Sequence, residues 1–384
     1  MTPVGTATPL GQAELADVLA RFWHPVCRVV DLPDGRPLGV TLLERELAVA
    51  RLDDGRFTAV DDRCLHRSTR LSVGTVDGCD LRCAYHGWTW GPDGRCTSIP
   101  SLPDGPIPPK ARIAVHDVEE RYGLVWVRLR DPDAPTPETT IPHSSAYGDD
   151  ALHTIPGEPY TWPVSALRRV ENFVDLAHFA WVHDGSLGRR DQPVPPLPEI
   201  ERVGAELCFV YDPPDFDPDA SAMYGSSAYR MPMPCTVDIV FSLASGARRV
   251  LWMTASPIDA TTCRVFWAMA RDDDLDEPGE TARDEEHLAF QRLVLAEDEP
   301  VVCGQTPGHF PIDPAEEISV STDLVSNVYR RWIRELVRNY TETGTLRLVA
   351  AADLISPIST ATSPSSSHDA RTASSAISSM STSS

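Results

Sequence analysis

The sequence predicts an α+β protein: a small N-terminal antiparallel β domain, followed by a second antiparallel sheet flanked by helices. Three observations support this. Short β-type runs at residues 38–43, 47–51, 57–60, 113–116 and 124–129 are separated by turn signals such as Asp54-Gly55, Asp77-Gly78 and Asp93-Gly94. A second group of β-type runs, at 206–211, 236–243, 250–255 and 263–270, is divided by Pro-rich and acidic loops. Helical periodicity is confined to stretches outside these runs.

Residues 12–23 read as a short helix, with Leu15, Val18, Leu19 and Phe22 on its apolar face. Pro100, Pro103, Pro106, Pro108 and Pro109 form a stiff wrap that cannot be helical. A second Pro-rich stretch, 131–142, marks a domain boundary. Residues 168–182 read as at least partly helical, with Ser165 as cap and Val170, Phe173, Val174 and Ala177 on the buried side. Helices are also expected at 282–297 and 323–339. From Ser356 onward Ser and Thr dominate and aromatic residues vanish, so the segment 350–384 is expected to be disordered. The expected domains are 20–135 and 143–340.

The 384 residues carry a formal net charge of -22. That balance argues against nonspecific nucleic-acid binding. No apolar run approaches eighteen residues and the first thirty residues contain Glu14, Asp17 and Arg21, so neither a membrane span, an anchor nor a signal peptide is expected. A soluble cytoplasmic protein is the resulting expectation. Nine cysteines give no sign of a disulfide framework, though Cys79 and Cys96 flank one motif closely enough for a local bridge to be considered. Arg63, Arg67, Arg70 and Arg82 form a local basic patch, suited either to an acidic redox protein or to ordinary ion pairs.

Two motifs carry chemistry. Cys64-Leu65-His66 and Cys83-Ala84-Tyr85-His86 each supply one thiolate and one imidazole. Such a set holds a two-iron, two-sulfur cluster with two thiolates on one iron and two imidazoles on the other. Structural zinc accepts the same donors. The mixed halves, Gly87 beside the second His, and Trp88 and Trp90 as shields favour the cluster. Downstream, Asp175, His178 and His183 are candidate polar anchors. Asp175 and His178 are three apart and share a face if helical. His183 lies about 140° from His178 on an ideal helix, so both face one metal only if the helix bends or ends between them. Two imidazoles need one carboxylate to complete a facial triad, and the spacing leaves many acidic residues open for that place.

The string Cys64-Leu65-His66-Arg67, Gly74, Cys83-Ala84-Tyr85-His86-Gly87-Trp88, with Gly94 and Cys96 beyond it, resembles the Rieske domain of Rieske non-haem iron oxygenases. Asn172-Phe173-Val174-Asp175-Leu176-Ala177-His178 with His183 resembles the mononuclear iron motif of their terminal oxygenase (α) subunits, and the run 295–305 their carboxylate-bearing helix. The resemblance spans residues 20–340. It implies that Cys64 and Cys83 bind one cluster iron and His66 and His86 the other. It also implies that His178, His183 and Asp298 hold a mononuclear Fe(II), with Glu297 as neighbour of the ligand. Asn172 would stand near this iron without binding it. Asp175 would bridge a cluster histidine of one subunit and an iron histidine of the next, in a homotrimer. The implied fold is a Rieske domain plus a helix-grip-like catalytic domain.

The implied activity is O2-dependent monooxygenation of a small aromatic or polycyclic substrate. Electrons would come from a ferredoxin or flavin reductase, so that NAD(P)H acts only indirectly. Dihydroxylation and oxidative O- or N-demethylation stand as alternatives, and a Rieske electron-transfer protein or a zinc-stabilised binding protein as non-enzyme readings. Phe209, Phe241, Trp252, Met253, Phe266, Trp267 and Met269 are candidate pocket residues, most of them equally suited to the core. Met223, Tyr224, Tyr229, Met231 and Met233 are candidates for its entrance.

Overall fold

The computed structural model describes residues 11–131, 135, 137–212, 226–243, 245–273 and 280–348. Met223, Tyr224 and the Ser/Thr-rich segment lie outside these residues.

Helix α1 (Gln12–Leu19) starts at Gly11, whose amide donates to Glu14 Oε2 at 3.0 Å. It ends earlier than the periodicity suggests. Arg21 and Phe22 close tight turns onto Val18 and Leu19, leading the chain directly into strand β1 (His24–Arg28). Leu15, Val18, Leu19 and Phe22 are nonetheless buried. Fully burying such side chains contributes roughly 1.5–3 kcal/mol each.

Two three-stranded sheets and one four-stranded sheet follow, all antiparallel. The hairpin β2 (Leu38–Leu42) and β3 (Arg45–Arg51) continues into β4 (Phe57–Asp61). Strands β5 (Thr75–Asp77), β6 (Asp80–Arg82), β7 (Thr89–Trp90) and β8 (Cys96–Ser98) form the four-stranded sheet. Strands β9 (Asp117–Arg121) and β10 (Leu124–Arg128) join β1 in the order β1-β10-β9. The strand expected at 113–116 is absent. Of those residues only Val115 makes an isolated bridge, to Val60, and the strand forms just after them.

The larger sheet has eight strands. Strand β18 (Thr262–Arg271) pairs with β11 (His153–Pro156), β12 (Tyr160–Trp162) and β17 (Arg248–Asp259). Beyond β17 come β16 (Thr236–Ser242), β15 (Ser226–Pro232), β14 (Glu206–Tyr211) and β13 (Glu201–Val203). The centre of β17 is buried on both faces, which is why it reads as a continuous apolar run. Alternate residues serve different cores: Leu251 and Met253 join the helices, whereas Val250 and Trp252 face Trp126 of β10.

The helical face is covered by α2 (Ala166–Val174), α4 (Glu280–Val302) and α5 (Leu324–Thr343), with the short α3 (Phe179–Val182) between α2 and the sheet strands in sequence. Ser165 caps α2, its Oγ accepting from Arg168 N at 3.2 Å. Arg168 and Glu171 are buried and each has a partner: Arg168 meets Glu317 at 2.7 Å, and Glu171 pairs with Arg330 of α5. The N-terminal sheets join the large sheet through the β2–β3 turn. Leu43 N donates to Pro257 O at 3.0 Å and Glu44 N to Ile258 O at 2.7 Å. All nine cysteines are free, so the considered Cys79–Cys96 bridge is absent; Cys79 Sγ instead lies 3.2 Å from Asp54 Oδ2.

Candidate metal centres

Two loops, one between β4 and β5 and one between β6 and β7, share one backbone design. Cys64 N donates to Thr69 O and Cys83 N to Trp88 O, both at 2.9 Å. Ser68 and Gly87 close the turns onto the carbonyls of Cys64 and Cys83, and both have positive φ, +59° and +70°. The left-handed conformation explains the glycine beside His86. Gly74 has a different reason: a Cβ there would lie 2.1 Å from Arg82 O, so only glycine lets the two loops approach.

The paired loops bring the four expected residues together. Cys64 and Cys83 are buried, and burial pushes the Cys64 thiol up. The His66 and His86 rings lie 4.4 Å apart, and Trp88 stacks on His66 at 4.5 Å and 10°. His66 Nδ1 is buried without a hydrogen-bond partner. An orphaned imidazole nitrogen beside two buried free thiols fits a bound metal group. Leu65 and Tyr85 are exposed beside this set. In the basic patch, Arg70 pairs with Glu46, Arg82 with Asp77, and Arg63 donates to Ser68 Oγ at 3.1 Å.

The second set is built where a helix stops. Asp175 is the C-cap of α2, with ψ 113°, and His178 is the N-cap of α3. The two therefore do not share one helical face, as their spacing suggests. Asp175 Oδ1 instead accepts from Ala177 N at 2.9 Å, and Oδ2 lies 3.6 Å from His178 Nδ1. His183 caps the other end of α3. Placing one histidine at each end of the single turn α3 brings the two imidazole ring centres within 5.1 Å of each other. Asp298 reaches them from α4, completing a group whose donor atoms all lie within 4.8 Å of one another. Pro300 sits in the last turn of that helix, past both Glu297 and Asp298.

Electrostatics around Asp298 favour a cation. His178 Nε2 lies 3.5 Å and His183 Nε2 3.1 Å from Asp298 Oδ1. His183 Nδ1 is 2.7 Å from Glu297 Oε2, which also accepts from Ser186 Oγ at 2.9 Å. With Nδ1 committed to Glu297, Nε2 is the ring nitrogen left facing Asp298, the arrangement in which a cation would be held between them. Neither nitrogen of His178 has a hydrogen bond. Burial opposes charge on His178, but Asp175 and Asp298 outweigh it and raise its pKa to about 9. Burial likewise opposes ionisation of Asp298, and the two histidines outweigh it, holding the carboxyl well below its usual range.

Asn172 donates to Asp298 Oδ1 at 3.2 Å. Arg169, one turn earlier, lies 3.4 Å from Asp298 Oδ2 and is fully buried. Sequence reasoning missed Arg169, although its spacing from Asn172 marks a shared helical face.

A pocket of about 1000 Å3, mouth included, opens beside these residues. Phe241, Met253 and Met269 line it as expected, together with Tyr229, Phe179 and Leu251. Four other candidates do not. Phe209 stacks behind Tyr229 at 4.5 Å, Trp267 is core, and Trp252 and Phe266 point to the opposite face of the sheet. Tyr229 is a wall residue of β15, and Met231 and Met233 are buried core rather than entrance. Gln291, Ser227 and Arg249 are polar groups in this mainly apolar lining.

A paired-loop cluster cradle and a buried two-histidine, one-carboxylate centre beneath an apolar pocket define an iron-dependent oxygenase. Its family follows from two profile matches: the Rieske [2Fe-2S] domain at residues 22–115 and the vanillate O-demethylase oxygenase C-terminal domain at residues 162–339. The chain belongs to the Rieske non-haem iron oxygenases, whose chains carry a [2Fe-2S] cluster and a mononuclear iron. It is 41% identical to the methylxanthine N1-demethylase NdmA of Pseudomonas putida over 333 residues, covering 85% of this chain and 91% of that protein. It is 40% identical to the methylxanthine N3-demethylase NdmB of the same organism, covering 83% and 89%. The structure of Pseudomonas putida NdmA with caffeine superposes with a TM-score of 0.77 at 39% identity, covering 86% of this chain and 94% of that one. These relatives favour demethylation over the plain hydroxylation expected first. Among the described residues no helix is long and apolar enough to cross a membrane.

Proposed function

We propose that this enzyme oxidatively removes a methyl group from a ring nitrogen of a small planar heteroaromatic, a methylxanthine being the leading candidate. The observation that carries the reading is the pocket. Flat apolar walls from Phe179, Tyr229, Phe241 and Met253 lead directly to His178, His183 and Asp298, with Gln291, Ser227 and Arg249 able to read ring carbonyls and nitrogens. Two N-demethylases of methylxanthines at about 40% identity support it.

In this reading Cys64, Cys83, His66 and His86 hold the cluster, within a domain of residues 20–135. His178, His183 and Asp298 hold the iron, within 143–340. When bound, the cluster would supply electrons one at a time and the iron would supply the chemistry of dioxygen reduction. The protein's own contribution is placement. The aromatic and methionine walls hold the substrate ring flat and exclude water, directing one N-methyl group toward the convergent donors. Asn172 donates to Asp298 and keeps that carboxylate turned toward both histidines. One oxygen atom enters the methyl C–H bond and the other leaves as water, consuming two electrons and two protons. The resulting N-hydroxymethyl group breaks at its C–N bond to give formaldehyde and a ring N–H.

The electrons come from an external ferredoxin or flavin reductase, in the cytoplasm. Among the described residues no hydrogen bond, ion pair or ring contact joins the Cys/His set to the His/His/Asp set, and the Asp175 carboxylate meets the Ala177 amide and His178. That separation supports a homotrimer in which Asp175 bridges to a cluster histidine of the neighbouring subunit.

Purified enzyme supplied with a surrogate reductase, NADH and caffeine or theobromine tests the proposal. Loss of a methyl group with one equivalent of formaldehyde is expected. A product gaining oxygen with its methyl groups intact would return the reading to hydroxylation.

A further inference from the structure

The carboxylate of Asp298 is divided between two kinds of partner. Its Oδ1 faces His183 Nε2 at 3.1 Å, Asn172 Nδ2 at 3.2 Å and His178 Nε2 at 3.5 Å. Its Oδ2 faces Arg169 Nη1 at 3.4 Å. Arg169 cannot easily turn elsewhere. Its guanidinium sits 3.7 Å from the Phe173 ring centre and 4.4 Å from that of Trp162, and Nε donates to the Tyr160 hydroxyl at 3.0 Å. Tyr160 and Trp162 belong to β12, which is fixed to β18 of the large sheet.

A buried guanidinium needs an opposite charge. Among the described residues Asp298 is the only carboxylate ion-paired with Arg169. The long 3.4 Å separation does not weaken this point, because both groups are almost closed off from water: their side chains are 1% and 6% exposed. Arg169 and Asn172 are three apart on α2, so one helix face delivers a donor to each carboxylate oxygen.

We propose that Arg169 is a positioning residue that holds Asp298 to a single coordinating oxygen, Oδ1. This rests on the reading of Asp298 as an iron ligand. Bringing Oδ2 round to the metal as well would strip Arg169 of the one counter-charge it has among the described residues, inside an aromatic box. Holding Oδ2 away leaves the iron three protein donors, His178, His183 and Oδ1, and keeps its remaining positions for small molecules. An arginine suits this task better than a lysine, since its planar fork binds Tyr160 through Nε while reaching Asp298 through Nη1.

The test uses the full-length, cluster-loaded protein with Fe(II) restored, as wild type, Arg169→Met, Arg169→Gln and Asp298→Ala. Iron affinity is measured against a competing chelator. The electron paramagnetic resonance line shape of the Fe(II)–nitric oxide adduct is recorded with the cluster oxidised. Both Arg169 variants are expected to bind iron about 10–100-fold more weakly and to show a changed line shape, smaller in Gln than in Met because the amide still donates. Cluster absorption should be unchanged in both. Weakened iron binding with a wild-type line shape would mean that Arg169 only supports packing, and would overturn the proposal. A crystal structure of iron-loaded wild type with both Asp298 oxygens at bonding distance would overturn it whether or not the variants fold. If Asp298→Ala keeps its iron, the ligand assignment itself fails, an outcome distinct from either of these.

Discussion

His183 Nδ1 lies 2.7 Å from Glu297 Oε2, and this one bond determines which ring nitrogen is left for a metal. Glu297 is anchored in turn by Ser186 Oγ at 2.9 Å. The neighbouring carboxylates of α4 therefore divide the work. Asp298 faces Nε2 of both histidines, and Glu297 orients one of them from behind.

Asp298→Ala should lose the mononuclear iron, because it removes a direct donor. Glu297→Ala should retain more of it, with affinity reduced about 10–100-fold, as expected when a residue orienting a ligand is lost. Iron content after chelation and reconstitution, normalised to the cluster, distinguishes the two. Equal retention in Asp298→Ala and wild type would move the ligand elsewhere, with Glu297 the first substitute.

Cys64→Ser should abolish the visible absorption of the cluster and its acid-labile sulfide, while His178→Ala should leave both intact and end product formation. The expectation follows from the separate placement of the two sets: Cys64 sits in the loop between β4 and β5, and His178 at the start of α3. A normal cluster spectrum in Cys64→Ser would remove Cys64 from the ligand set.

Much of this is legible in the sequence, for identifiable reasons. The cluster loops are local, so Cys64, His66, Cys83 and His86 announce themselves by spacing. The angular mismatch of His178 and His183 called for a helix that bends or ends between them; the structure breaks the helix before His178 and keeps one short turn, α3, between the two, with a histidine capping each end. Two of the seven candidate pocket side chains, Trp252 and Phe266, failed because a strand buried on both faces gives no parity signal, whereas Phe209 and Trp267 lie on the helix-facing side but within the core. Met253 and Trp252 are adjacent and equally apolar, yet only Met253 lines the pocket. Arg169 was missed because burial of a guanidinium depends on Asp298, 129 residues away. The short strands β5 to β8 were missed because two or three residues carry no periodicity.

His24 gives the fold a pH dependence. It is 1% exposed, its Nε2 lies 2.8 Å from Leu19 O, and burial lowers its pKa from 6.5 to about 4. Between those values the unfolded chain binds a proton that the folded chain refuses. Stability contributed by neutral His24 is therefore present above pH 6.5 and lost as pH falls toward 4, by up to about 1.4 kcal/mol per pH unit. Urea midpoints of wild type and His24→Gln at pH 7 and pH 5 measure it. The wild type should lose more between the two pH values, and parallel losses would show that His24 is not the responsible group.

Asp175 supplies the sharpest test of how electrons reach the iron. Its Oδ1 is committed to the Ala177 amide at 2.9 Å, which holds the turn between α2 and α3. Its Oδ2 lies 3.6 Å from His178 Nδ1, and the side chain remains 37% exposed. The carboxylate thus has one face on an iron-side histidine and another open to a neighbouring subunit, as the proposed trimer requires. Asp175→Asn keeps the size and the turn-forming oxygen but loses the charge that holds His178 Nδ1–H. Both metal groups should remain, while pre-reduced cluster mixed with oxygen and substrate should be oxidised about 10–100-fold more slowly. Wild-type rates would take Asp175 out of the electron path. Because loss of the trimer would also slow transfer, the oligomeric mass of the variant must be measured in the same sample. Slow oxidation in an intact trimer assigns the effect to the carboxylate itself.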